Sequence, residues 1–159
     1  MVFTPQLPFH ENKLVIRIYI VFSTIFYCFL SDAIKEQCRR GYARAYAGIG
    51  FLLSDENNPR SAIKFLKHAH TLSPYNTDYM YVIIEEYNKI GEYDNALKFV
   101  NEILDLNPYD ENVYISMMEC HVLKEDAEKA MESLERGLQM LPNDAALLYR
   151  KAFLYFAQD

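Results

Sequence analysis

Residues 106–110 read LNPYD. The same punctuation occurs as LSPYN at 72–76 and as MLPND at 140–144. Pro74, Pro108 and Pro142 are evenly spaced, and Asn76, Asp110 and Asp144 keep the same interval. A proline cannot continue a helix, because it lacks the N–H and its ring clashes with the preceding turn. Asn or Asp two residues later can accept a hydrogen bond from the first free N–H groups of a new helix. Each stretch is therefore a helix stop followed by a helix start, and the constant period makes the chain an array. Five Gly and six Pro in 159 residues are too few for the turns of an all-β chain.

Between these marks each period splits into two helical stretches. In the second period, 78–90 reads DYMYVIIEEYNKI, with Tyr79, Met80, Ile83, Ile84 and Tyr87 at helical spacing. A turn at Gly91 follows, then DNALKFVNEILDL at 94–106 places Ala96, Leu97, Val100, Ile103 and Leu104 on one face. The first period turns through SDENNP (54–59), where Asn58 can cap and Pro59 suits the first helical position. The third turns through LKEDAE (123–128) without a glycine. Glu85 and Glu86 lie among many acids, so a solvated face is the expectation for both.

These residues resemble the tetratricopeptide repeat family, whose unit of about 34 residues has a W-x2-L-G-x2-Y, A-x3-F and P pattern. The first unit reads Tyr46, Ile49, Gly50, Leu53, then Ala62, Leu66, Ala69, then Pro74. The second reads Met80, Ile83, Ile84, Tyr87, then Ala96, Val100, Ile103, then Pro108. The third reads Tyr114, Met117, Met118, His121, then Ala130, Leu134, Gly137, then Pro142. Ile84, Met118 and Ile103 are bulkier than the pattern, which predicts wider local helix spacing. The resemblance implies an all-α fold, a right-handed superhelix (α-solenoid) of stacked antiparallel helix pairs. It covers 43–159 as units 43–76, 77–110 and 111–144, with a final or truncated helix at 145–159.

Such arrays carry a concave groove lined by the first helix of each unit. Mapped onto this chain, the resemblance implies groove positions Arg44, Ala47 and Phe51, then Asp78, Tyr81, Val82, Glu85 and Asn88. It continues through Asn112, Ile115, Ser116 and Glu119 to Tyr149, Arg150 and Phe153. A subclass of the family grips a chaperone's C-terminal carboxylate with a Lys/Asn/Arg clamp. Here the matching positions hold Ala47, Phe51, Val82, Asn112 and Ser116, so that clamp is absent. Aromatic anchors beside Asp78, Glu85 and Glu119 favour a protein or peptide partner with a basic or polar and aromatic segment. The expected function is a protein–protein interaction scaffold holding an extended or helical segment.

Residues 1–42 do not match the repeat and read as a hydrophobic segment followed by a basic connector. The stretch 14–30, LVIRIYIVFSTIFYCFL, contains one charge, Arg17. It reads as a packed helix capping the array, as a membrane anchor of marginal length, or as a signal peptide with Ser31-x-Ala33 at its cleavage site. As an anchor it leaves Lys35, Arg39, Arg40 and Arg44 beside the repeats, which puts them on the cytoplasmic side. The alternative function is thus a membrane-tethered assembly or structural factor. A cytoplasmic location is expected with or without the tether.

Chemistry is sparse. Net charge is about +3 over residues 1–44 and about −9 over the rest, so the bulk of the chain should repel nucleic acid. Cys28, Cys38 and Cys120 form no CxxC, and buried or inert thiols are expected. His68 and His70 are two apart on a helix and point to different faces, so they cannot share a metal. His121 stands in the register of a large aromatic, where packing is expected. No HExxH, GxSxG or P-loop pattern occurs. The reading is of a non-enzyme with no cofactor and no metal.

Overall fold

The computed structural model describes residues 13–158. Among them are seven α-helices and no strand: α1 (Lys13–Asp55), α2 (Pro59–Leu72), α3 (Thr77–Lys89), α4 (Tyr93–Leu106), α5 (Glu111–Leu123), α6 (Ala127–Met140) and α7 (Ala145–Gln158). The fold is an all-α helical-repeat solenoid. The chain divides into two compact units, one ending at Arg39 and one starting at Arg40.

In the first unit the backbone is helical from Lys13 onward. The basic stretch after residue 30, expected to be a connector, belongs to α1 itself, because no proline lies between Pro8 and Pro59 and Gly41 alone is a weak breaker. Val21, Phe22 and Ile25 are exposed. Among the described residues no helix is long and apolar enough to cross a membrane. Most side chains of 14–30 lie outside the described residues, and the capping, anchor and signal readings of that stretch lie there with them.

In the second unit α3 packs on α2 and α4, α5 on α4 and α6, and α7 on α5 and α6. Its core follows from the helical period. Ala43, Ala47 and Gly50 face inward from α1, and Ala62, Ile63, Leu66 and Ala69 from α2. Met80, Ile83, Ile84, Val100, Ile103, Val113, Tyr114, Leu134 and Leu147 continue it. Ala47, expected at the groove, is core instead, because it stacks one turn after Ala43 on the inward face.

Small residues set the closest approaches. A Cβ on Gly50 would lie 2.6 Å from Leu66 Cγ, and one on Gly137 would lie 2.8 Å from Tyr114 Cγ. Tyr114 in α5 is thus accommodated by a glycine in α6. One period earlier the equivalent positions hold Met80 and Ile103, both fully buried. A slimmer residue on the first helix of that pair leaves volume for a bulkier one on the second.

The repeated stop-and-start has the same chemistry three times. Asn76 Oδ1 accepts from Asp78 N at 3.0 Å, Asp110 Oδ1 from Asn112 N at 3.0 Å, and Asp144 Oδ1 from Leu147 N at 2.9 Å. Such caps are worth about 1 kcal/mol each. Asp126 caps α6 in the same way, accepting from Lys129 N at 3.1 Å. The turns inside the pairs are also in register. Asn57, Gly91 and Glu125 stand one period apart and have φ of 55°, 76° and 60°. The third turn dispenses with glycine by placing Glu125 in the left-handed region, where an L side chain is strained.

Candidate functional site

The first helices of the pairs are neighbours: α3 touches α5, and α5 touches α7. The candidate positions are carried by these helices and by α1. Arg44, Asp78, Glu85, Asn112 and Tyr149 are exposed. Tyr81, Val82, Asn88, Ile115, Ser116, Glu119 and Arg150 are half-buried, and Phe153 is exposed. Phe51 is half-buried against the core, its ring centroid 6.2 Å from that of Tyr79.

Several of these side chains are tied into the array. Tyr81 Oη donates to Asp110 Oδ2 at 2.8 Å, and Asn112 Nδ2 donates to Asp110 Oδ1 at 3.2 Å. The aspartate that starts α5 therefore also holds a tyrosine of α3. Burial, and then the bond to Asp110, pushes the Tyr81 hydroxyl far above the usual phenol range. Glu119 and Arg150 form an ion pair of 3.3 Å between α5 and α7.

Two hydrogen bonds close successive seams in one register. Ser54 Oγ donates to Glu86 Oε1 at 2.7 Å, and Cys120 Sγ donates to Asn88 Oδ1 at 3.3 Å. Ser54 and Asn88 are one period apart, as are Glu86 and Cys120. Glu86 is fully buried rather than solvated, held by Ser54 and by Lys89. It lies one residue past the outward Glu85, and that step of about 100° turns it into the seam. Burial raises the pKa of Cys120, which keeps it a thiol. Cys38 is exposed. The paired registers were readable from the period, since position 54 predicts 88 and position 86 predicts 120. Opposite chemistries at matched positions hid them.

The histidines are separated as their spacing implies. His68 lies against Tyr46, with centroids 5.5 Å apart, and His70 Nε2 is 3.0 Å from Glu102 Oε1 with Phe99 beside the ring. His121 is half-buried with Nδ1 unpartnered, and burial lowers its pKa. Among the described residues no group of three or more His, Cys, Asp or Glu is placed to hold a metal.

Residues 43–76 match the family model described as tetratricopeptide repeat. Comparison with curated proteins finds no match by sequence. Among solved structures, the first TPR of Spaghetti (RPAP3) bound to an HSP90 peptide aligns at TM-score 0.62 and 18% identity, over 75% of this chain and 94% of that one. The Arabidopsis OM64 TPR domain aligns at TM-score 0.61 and 11% identity, over 73% and 96%. YrrB, described as a TPR protein with an unusual peptide-binding site, aligns at TM-score 0.61 and 21% identity, over 69% and 57%. At these identities the likeness is one of fold.

Proposed function

For a chain that carries a tetratricopeptide repeat and stacks its helices as a tetratricopeptide repeat array, we propose a non-catalytic binding scaffold. It holds a segment of a partner protein across the first-helix side of residues 43–159. The observation that supports this reading is that Asp78, Glu85, Asn112 and Glu119 and the aromatic Tyr81, Tyr149 and Phe153 are exposed or half-buried on α3, α5 and α7, where α5 neighbours both of the others. Fixed first helices present such residues without an ordering cost on binding. Carboxylates among aromatics suit a basic or polar and aromatic segment. The fold's peptide-bearing neighbour supports a peptide as the partner class. With Phe51, Val82 and Ser116 at clamp positions, an acidic chaperone tail is not the peptide of choice here.

Tyr81 anchors Asp110 and is a poor probe, because its loss also disturbs the start of α5. The test uses a photo-crosslinking residue at Glu85 and, as a control, at Lys98, which is exposed on α4. Partner crosslinks from position 85 that are lost with Tyr149→Ala support the groove. Equal crosslinking from position 98 refutes it.

A second reading is favoured by the exposed Val21, Phe22 and Ile25 within the apolar stretch. In it, residues 14–30 tether the scaffold to a membrane with the repeats in the cytoplasm, as an assembly factor. Carbonate extraction of membranes decides this, because complete recovery of the full chain in the soluble fraction removes the tether.

A further inference from the structure

The two polar seams have a third counterpart that differs in kind. Position 54 repeats at 88 and 122, and position 86 repeats at 120 and 154. Where the first two seams are closed by Ser54 with Glu86 and by Asn88 with Cys120, the third holds Val122 and Leu154, which can form no hydrogen bond. An open cavity of about 310 Å³ lies there between α5 and α7, walled by Met118, Val122, Leu123, Phe153 and Leu154. Val122, Leu123 and Phe153 leave 42%, 47% and 62% of their surface in water. Isolated exposed apolar residues need no explanation, but a contiguous apolar pocket marks a binding site.

We propose that this seam is a specificity socket, which receives one large apolar side chain of the partner segment. The proposal rests on the groove reading above and adds the chemistry that the groove selects. Charge defines the rest of the occupant. The socket's lip carries Glu119, whose charge is already met by Arg150 at 3.3 Å. One period earlier the equivalent residue is Glu85, exposed on α3. Packed helices lie about 8–10 Å apart, so Glu85 on α3 is about 12–15 Å from a socket between α5 and α7, a distance that an extended chain spans in about four residues. The occupant is therefore an extended segment with a Phe, Leu or Met in the socket and, on the same face of the segment, a Lys or Arg about four residues away over Glu85.

The full chain, with labelled Met, Ile, Leu and Val methyl groups, is titrated by NMR with short synthetic peptides at millimolar concentration. The matched peptide carries Phe and Lys four residues apart; one control has Ala for Phe, and another has Glu for Lys. The methyls of Met118, Val122, Leu123 and Leu154 shift with the matched peptide, and affinity falls about tenfold or more with the Ala control. Val122→Asn, which writes the second seam's residue at an exposed position, abolishes these shifts while the other methyl signals stay in place. Glu85→Lys removes the preference for Lys over Glu. Equal binding of the Ala peptide overturns the socket. So do shifts confined to Val82 and Ile115, which leave the groove standing. No shift on α3, α5 or α7 overturns the groove reading as well.

Discussion

Alanine at Gly137 and at Gly48 should change stability in opposite directions. Both glycines lie inside helices, where Gly→Ala gains about 1 kcal/mol from backbone propensity. Gly48 is exposed on α1, and a Cβ there would meet nothing within 4 Å. Gly48→Ala should therefore realise the whole gain of about 1 kcal/mol. At Gly137 the Cβ would lie 2.8 Å from Tyr114 Cγ, 2.9 Å from Tyr114 Cβ and 3.0 Å from Leu147 Cδ1. The two tyrosine atoms are next to the α5 backbone and cannot swing aside. The far end of the ring is also held, since Tyr114 Oη donates to the Pro108 carbonyl at 2.8 Å. Relief requires α6 to back away from α5, and overpacking of this kind costs about 1–3 kcal/mol. At the upper end of that range, less the propensity gain, Gly137→Ala should be destabilised by about 2 kcal/mol. Urea unfolding followed by helical circular dichroism measures both, provided the slope with denaturant is unchanged. A Gly137→Ala protein as stable as wild type, alongside a stabilised Gly48→Ala, would refute the close approach of α6 to α5.

Other expectations address single features. Glu125→Gly should stabilise by about 0.5–1 kcal/mol, because relief of left-handed strain exceeds the extra chain entropy; a lower urea midpoint would contradict the strained turn. Ser54→Ala should cost about 2 kcal/mol by taking a donor from a buried carboxylate, and a double-mutant cycle with Glu86→Gln that shows no coupling would dissociate the pair. Asp110→Ala should cost more than Asp144→Ala, because it loses a cap and the acceptor of Tyr81; it should also bring the Tyr81 ionisation down toward the ordinary phenol range in an ultraviolet titration. His121 is depressed mainly by burial, against the opposing pull of Asp126. The unfolded chain therefore takes up the proton first as pH falls through about 6.5, and the stability His121 contributes above that pH is lost toward its lower folded value. His121→Phe should flatten the fall in urea midpoint between about pH 7 and about 5.5, and an unchanged slope would exclude this histidine.

Most of the array was legible because it is local. The stop at Pro108 and the start at Asp110 depend on residues within one turn of each other, and so do the caps at Asn76 and Asp144. The inward faces of α3 and α4 follow from helical spacing alone, and Tyr79, Met80, Ile83, Ile84 and Tyr87 are all buried. The role of Glu86 was not legible. One acidic residue beside another reads as surface, and only the neighbouring helix, which brings Ser54 to 2.7 Å, makes it an interior group.

The period, the helix ends and the side each helix turns inward follow from the order of residues alone, because these depend on backbone geometry within a few residues. The contacts that cross the seams come from the packing of whole helices: Ser54 with Glu86, Asn88 with Cys120, Tyr81 with Asp110, and Val122 and Leu154 walling a cavity. The members of each pair lie nearly one period apart in the chain. Their distances are set by how closely whole helices approach, and that depends on the volumes of glycines, alanines and tyrosines buried elsewhere in the stack.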